Sequence, residues 1–145
     1  MTDTLHCATV SVRGVVTGPR GRTLLLQRAT DEEWELPGGR LETDEDTVSG
    51  LRREITEETD LSVEIGDILA ADSWVNESGR DRFAVHYACF TAERTVDIST
   101  EHVDWAWVEP RRTPSFLCER QTAAVRTAID GARSPRRNVH ASAWE

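Results

Sequence analysis

Alternation of apolar and polar residues along the first part of the chain predicts two β-strands. Between residues 6 and 17, the apolar Ala8, Val10 and Val12 alternate with polar neighbours, which is the periodicity of a strand with one buried face. Residues 22 to 28 carry three consecutive leucines, which is typical of a strand buried on both faces. The intervening Gly-Pro-Arg-Gly favours a turn, so we expect a hairpin.

The second half of the chain predicts three further strands. Residues 62 to 75 contain spaced apolar residues with a bend at Gly66, and residues 83 to 91 alternate throughout. A polar turn between these two segments favours a second hairpin. Residues 100 to 110 are expected to form the last strand.

A helix is predicted after residue 46. Asp46 is the expected N-cap, because its carboxylate can accept hydrogen bonds from the free amides of the first turn. Val48, Leu51 and Ile55 recur at i, i+3 and i+7, which predicts the stripe that this helix buries.

A second helix is predicted near the end of the chain, with Thr113 as its cap, Pro114 at its first position and Gly131 at its end. The element order is then strand, strand, helix, strand, strand, strand, helix. A chain of 145 residues suits one domain. We expect this domain to span residues 1–132, followed by a C-terminal tail, residues 133–145, that is weakly ordered or docked on a partner.

Charge changes the picture of the surface. The chain has 17 basic and 26 acidic residues, a net charge of −9, and every basic residue is arginine. This acid surplus disfavours nucleic acid polymers as partners. A lysine-free, acid-rich surface is typical of a halophilic protein from a high-salt cytoplasm, where screening reduces self-repulsion. No apolar run approaches the ~18 residues of a membrane span, and the cysteines lack a CxxC spacing, so we expect a cytoplasmic protein with reduced thiols and no membrane partner.

The first helix carries the strongest chemical signal. Glu54, Glu57 and Glu58 stand at i, i+3 and i+4, so three carboxylates share one face. Like charges at this spacing destabilise a helix unless they are neutralised, and a divalent cation such as Mg²⁺ is a suitable neutraliser. A Gly38-Gly39 pair precedes the helix and allows the backbone to approach a ligand closely.

These residues form a pattern that resembles the Nudix box, G-x5-E-x7-R-E-U-x-E-E-x-G-U, in which U is a bulky aliphatic residue. The box runs from Gly39 to Leu61, and one fixed position departs from it, because Asp60 stands where the family usually has glycine. Aspartate tolerates a positive φ better than most residues, so the departure affects the local loop rather than the site. The matching positions are Gly39, Glu45, Arg53, Glu54, Ile55, Glu57, Glu58 and Leu61.

The resemblance implies an α/β protein with the Nudix fold, an α/β/α sandwich around a mixed β-sheet. It also implies Mg²⁺ or Mn²⁺ as cofactor, held by Glu54, Glu57 and Glu58 with the Gly39 carbonyl as a further ligand. Arg53 is expected to pair with Glu45 or Glu54 and to orient the cluster.

Outside the box, residues 101 to 107 resemble an E-H-x-x-x-x-W feature of the family, in which the acid reaches the metals as a ligand or as the base. Glu101 is therefore the expected general base, with Glu54 as the alternative; an ordinary loop carboxylate is the competing interpretation of Glu101. Arg28 ends a strand where family members often place a phosphate contact, or it is a surface charge. Phe83 and Tyr87 share a strand face and are candidates for stacking on a nucleobase, against the alternative that they are core aromatics.

The implied reaction is hydrolysis of a diphosphate bond in a nucleoside diphosphate linked to another group. A nucleoside triphosphate pyrophosphohydrolase is our first hypothesis, and an ADP-ribose or nucleotide-sugar pyrophosphatase is the second. A non-catalytic, nucleotide-sensing domain is the alternative of another class. The expected partner is a nucleotide-like small molecule, and a homodimer is left open.

Overall fold

A seven-stranded mixed sheet lies between two helices in the computed structural model, which describes residues 4–133. No helix in this part of the chain is long and apolar enough to cross a membrane. The elements in chain order are β1 (Thr9–Thr17), β2 (Thr23–Arg28), β3 (Trp34–Glu35), β4 (Gly38–Arg40), α1 (Thr47–Thr59), β5 (Glu64–Val75), β6 (Asp81–Phe90), β7 (His102–Val108), a 3₁₀-helix (Pro110–Ser115) and α2 (Glu119–Arg133).

Parallel pairing of β1 with β6 holds the two halves of the chain together, and it runs from Thr9 beside Arg82 to Thr17 beside Phe90. All other strand pairs are antiparallel. The strand order is β3-β2-β1-β6-β5, with β4 paired to β1 and β7 paired to β2. The register of β5 shifts between Ile65 and Ile68, next to the glycine where a bend is predicted.

Alternate residues of the central strands face two separate cores. Val12, Val16, Leu24 and Leu26 belong to the core beneath α1, whereas Val15 and Leu25 belong to the core beneath α2. Helix α1 contributes Leu51 and Ile55 to the first core. Helix α2 contributes Ala124 and Val125 to the second, which also contains Leu117 from the segment before α2. The predicted α/β/α sandwich around a mixed sheet is confirmed.

The predicted buried stripe of the first helix and the predicted start of the second helix are wrong in detail. Val48 is 38 % exposed, because the buried positions of α1 begin only at Gly50 and Leu51. The second helix does not start at Pro114. Residues 110–115 form a 3₁₀-helix that Thr113 stabilises with a 2.7 Å hydrogen bond from its hydroxyl to the Pro110 carbonyl, and α2 starts only after it.

The ends of the helices show why the departure at position 60 is tolerated. Asp60 is the C-cap of α1 in the left-handed conformation, with φ of 59°, and its amide donates to the Thr56 carbonyl. This is the conformation that glycine usually supplies at a helix end. At the other end, Asp46 accepts a hydrogen bond from the Ser49 amide, as predicted for an N-cap. Helix α2 continues through Gly131 to Arg133, so the predicted end of this helix at Gly131 is wrong. The rest of the predicted tail lies outside the described residues.

Candidate active site

The glycine turn before α1 fits closely against the carboxylates of the helix. The Gly38 amide donates a 2.8 Å hydrogen bond to Oε1 of Glu58, and Gly38 has a φ of 151°, which other residues rarely adopt. A Cβ atom at Gly39 would overlap the carboxyl group of Glu54. A side chain at Gly39 would therefore displace Glu54, and a side chain at Gly38 would clash with β1 at Val12 and Arg13.

Arg53 connects four carboxylates. Its guanidinium makes a bidentate pair with Glu45, at 2.7 and 2.9 Å, and its Nη1 donates to Glu54 and Glu57 at 3.2 Å each; Glu42 lies 3.7 Å away. The hydrogen bond from Arg53 lowers the pKa of Glu45 to about 2. Arg53 thus fixes the position of the Glu54 carboxylate at the edge of the cluster.

Three candidate ligands converge beside that cluster. Single ligand atoms of Glu58, Glu101 and His102 all lie within 4.8 Å of one another. Glu58 and His102 are buried, whereas Glu101 is exposed. Burial raises the pKa of Glu54, and the negative charge of Glu101 adds to this rise. This oxygen-rich donor set fits Mg²⁺ or Mn²⁺, and Glu57, 59 % exposed and paired with Arg53, stays a predicted ligand.

Glu35, a buried carboxylate that lies with His102 beside Glu58, was not identified from the sequence. Nε2 of His102 lies 3.7 Å from Glu58 and 3.8 Å from Glu35, and Arg13 reaches Glu35 at 3.4 Å. Burial and the nearby Glu35 charge raise the pKa of Glu58 to about 8. Burial alone would raise the pKa of Glu35 as well, but His102 and Arg13 hold it below its ordinary value. The available signal was a carboxylate in the otherwise apolar Trp34–Leu36 segment.

Arginines line the cleft that contains the acids, a space of about 600 Å³. Arg28 is paired bidentately with Asp31, at 3.0 and 2.7 Å. Arg82 donates to the Ser11 hydroxyl at 3.1 Å, but its buried Nε has no hydrogen-bond partner among the described residues. Burial, and the charges of Arg40 and Arg13, lower the pKa of Arg82. Neither Arg82 nor Arg40 has an ion-pair partner in residues 4–133, so positive charge is left uncompensated here on an acidic protein.

The aromatic candidates lie elsewhere. Tyr87 is 6 % exposed in the core beneath α1, and its hydroxyl is hydrogen-bonded to the hydroxyl of Thr47 at 2.6 Å. It offers no free ring face, so its predicted stacking on a base is wrong. Phe83 is half-buried against the same core and stays a prediction.

The opposite face of β6 lines a second cleft, of about 610 Å³, which we call the His86 cleft. It is lined by Trp34, Trp74, His86, Phe116, Arg120 and Gln121, among others, and it shares Ser11, Arg13, Arg28 and Arg82 with the cleft that contains the acids. The two clefts therefore adjoin at these four residues.

The buried His86 predicts a pH-dependent stability. Burial, and secondarily Arg13 on β1, lower the pKa of His86 to about 4; Asp72 on β5 opposes this shift and Arg120 on α2 adds to it. The unfolded chain, with a histidine pKa of about 6.5, binds the proton more tightly, so stability falls as the pH falls from about 6.5 to about 4. Between pH 7 and pH 4.5, we expect the free energy of unfolding, measured in urea melts, to fall by about 2 kcal/mol less in His86→Leu than in the wild type. An equal fall in both proteins would contradict the assignment.

An α/β/α sandwich whose cleft combines clustered carboxylates with arginines is typical of hydrolases that act on phosphate anhydrides. Comparison with known proteins agrees. The family model of the NUDIX domain matches residues 8–127. A MutT-like protein of Streptomyces ambofaciens is 33 % identical over 123 residues, covering 85 % of this chain and 78 % of that protein.

Two further similarities extend the comparison. The nucleoside triphosphatase NudI of Escherichia coli (strain SE11) is 31 % identical over 105 residues, covering 62 % of this chain and 74 % of that protein. The crystal structure of an Ap4A hydrolase of C. elegans superposes with a TM-score of 0.78 at 19 % identity, covering 86 % of this chain and 98 % of that one. The chain belongs to the Nudix family and is an enzyme that acts on pyrophosphate bonds of nucleotide diphosphate-linked substrates.

Proposed function

We propose that this enzyme is a nucleoside triphosphate pyrophosphohydrolase, which converts a nucleoside triphosphate and water into the monophosphate and pyrophosphate. The observation that carries this proposal is that Arg82 and Arg40, which have no ion-pair partner within residues 4–133, line the same cleft as the carboxylate cluster. A polyphosphate chain has charge enough to meet both groups at once. The similarity to a nucleoside triphosphatase supports the same substrate class.

The metal-binding roles follow from the donor set. Glu54 and Glu58 are the proposed central ligands of Mg²⁺ or Mn²⁺, and Glu57, the Gly39 carbonyl and Glu101 are candidates for the remaining positions. Such a cation, when bound, neutralises charge that develops on the phosphoryl oxygens. His102 and Glu35 position Glu58 from behind, as outer partners of a ligand commonly do.

Glu101 is the proposed general base. Its carboxylate is exposed at the rim of the cleft, where it can accept a proton from a water molecule, and Glu54 is the alternative. The water oxygen bonds to one phosphorus of the bridge while the bridging P–O bond breaks and its electrons stay on the departing phosphate oxygen. Arg28, Arg82 and Arg40 then face the charge that accumulates on the phosphates.

Turnover of a substrate panel tests the proposal. The purified protein is incubated with Mg²⁺ or Mn²⁺ and with nucleoside triphosphates, ADP-ribose, dinucleoside polyphosphates or nucleotide sugars, coupled to pyrophosphatase in one series and to phosphatase in another. We expect pyrophosphate from nucleoside triphosphates and its loss with EDTA. Turnover of ADP-ribose or a nucleotide sugar instead would replace the substrate class, and silence from a folded, metal-bound protein would favour a nucleotide sensor.

The acidic surface predicts a dependence on salt. If the lysine-free surface with its charge of −9 is an adaptation to a high-salt cytoplasm, self-repulsion destabilises the fold at low ionic strength. We expect the melting temperature to rise steadily between 0.1 and about 2 M KCl, a range in which the screening length falls severalfold. A melting temperature indifferent to KCl would remove the halophilic assignment.

Free thiols support the cytoplasmic assignment. Cys7, Cys89 and Cys118 are all unpaired in the structure, as expected in a reducing compartment.

The oligomeric state is a separate question. Sedimentation equilibrium of the purified protein decides whether the enzyme is a monomer or a homodimer.

A further inference from the structure

His86 occupies a position that packing does not explain. Its side chain is 1 % exposed, yet neither Nδ1 nor Nε2 has a hydrogen-bond partner among the described residues. A buried polar group without a partner destabilises a fold, and native proteins contain few of them. Leucine would fill such a site without that cost, so the imidazole is better explained by a ligand than by the core.

Gln121 offers a second polar group in the same cleft. Its Oε1 accepts a 2.8 Å hydrogen bond from the Leu36 backbone amide. Because an amide N–H needs an acceptor, this bond fixes which end of the side chain is the oxygen, and the NH₂ group is left without a partner among the described residues. Gln121 therefore presents donors, and not an acceptor, to the His86 cleft.

The surroundings of the cleft suit a nucleotide base. Trp34 and Phe116 meet edge to face with ring centroids 5.9 Å apart, and Arg120 lies 3.8 Å above the ring of Trp74. Flat aromatic and guanidinium surfaces of this kind stack on bases. Arginines line both clefts, so a substrate with its phosphates beside the acids has its base next to this space.

We propose that the His86 cleft holds the base of the nucleotide, and that His86 and Gln121 select bases with an oxo group over bases with an amino group at the same ring position. This inference rests on the proposed function and names the substrate class within it. Gln121 donates from its NH₂ group. His86 is neutral at physiological pH because burial lowers its pKa to about 4. No residue between 4 and 133 fixes its tautomer, so it can place its one N–H toward the same oxygen.

Substrate pairs that differ in this group test the selection. Inosine and adenosine triphosphates differ in oxo against amino at one carbon of the purine and in the proton that the adjacent ring nitrogen carries only in inosine. Uridine and cytidine triphosphates differ in the same way in the pyrimidine. We expect the oxo member of each pair to have a kcat/KM at least about tenfold higher, because a lost hydrogen bond and an apposed donor pair each weaken binding. Ratios near one in both pairs would overturn the proposal.

Two variants assign the preference to the named residues. His86→Leu should lower both ratios severalfold without lowering the melting temperature, since it removes a buried polar group that has no structural partner. Gln121→Glu keeps an oxygen for the Leu36 amide and replaces the NH₂ group by an acceptor, so the ratios should fall below one. Cys89→Ala on the opposite face of the same strand is the control, and should keep both ratios while the fold loses stability. Unchanged ratios in both test variants would refute the assignment.

Binding separates this inference from the proposed function. The α,β-methylene analogues of inosine and adenosine triphosphate resist cleavage of the bridge, so calorimetry compares their Kd values whether or not the protein hydrolyses triphosphates. Tighter binding of the inosine analogue, together with a shift of the His86 imidazole ¹⁵N resonances on binding, supports the base site even if the panel shows no turnover. Equal Kd values and an unmoved His86 signal would overturn it while leaving hydrolysis to stand on its own assay.

Discussion

Replacing Glu58 by glutamine should lower kcat by about a thousandfold, or about 4 kcal/mol in activation free energy, while leaving the protein folded. The amide has the same shape as the carboxylate and can still accept the 2.8 Å hydrogen bond from the Gly38 amide. It cannot supply the negative charge that a hard divalent cation requires. The variant also loses a buried carboxyl group that faces Glu35, so its melting temperature without metal should not fall.

Three measurements on Glu58→Gln make this prediction specific. Turnover is compared with that of the wild-type enzyme at saturating Mg²⁺, and melting temperature is recorded with and without the metal. The wild-type melting temperature should rise on metal addition, since binding to the folded state alone stabilises it, and the variant should lose most of that rise. Glu64→Gln, at an exposed position of β5, is the matched control and should behave as the wild type. Turnover within tenfold of the wild type would exclude Glu58 as a ligand.

Much of the fold was predictable from the local periodicity of the sequence. Strand β2 was predictable because three buried leucines in a row need a strand covered on both faces, and they do face two cores. The turn, cap and spacing of the Nudix box are likewise local, since Gly39 and Glu54 are brought together by one turn and one helix. Asp60 illustrates the same point, because its left-handed conformation depends only on the end of α1.

The features that the sequence did not predict depend on the pairing of strands that are distant in the chain. His102 reaches Glu35 because β2 pairs with β3 on one side and with β7 on the other, and no local pattern encodes those pairings. Alternation along β6 distinguishes two faces, but it does not say which face lies beneath α1. Tyr87 consequently lies in the core, while His86, on the other face, lines a cleft. Val48 follows the helical period but precedes the first buried position of α1.

The carboxylates of the site repel one another, and Arg53 is the side chain that holds most of them in position. The substitution Arg53→Lys tests this role. An ammonium group can replace the positive charge of Arg53 but not its fork of two hydrogen bonds to Glu45 with a further donor toward Glu54 and Glu57. Repulsion among the carboxylates then moves Glu54 away from its place beside Gly39. We expect kcat to fall about a hundredfold, as is typical when a partner that orients metal ligands is lost, and stability to fall by about 1 kcal/mol.

The neighbouring Arg52 provides the comparison, because it is exposed and makes none of the hydrogen bonds that Arg53 makes. Arg52→Lys should leave turnover and urea stability unchanged. A double-mutant cycle with Glu45→Gln then isolates the bidentate pair: once Glu45 is neutral, the further change Arg53→Lys should cost turnover much less than it does in the wild type. Full additivity of the two changes would contradict a role of the bidentate pair with Glu45 in turnover.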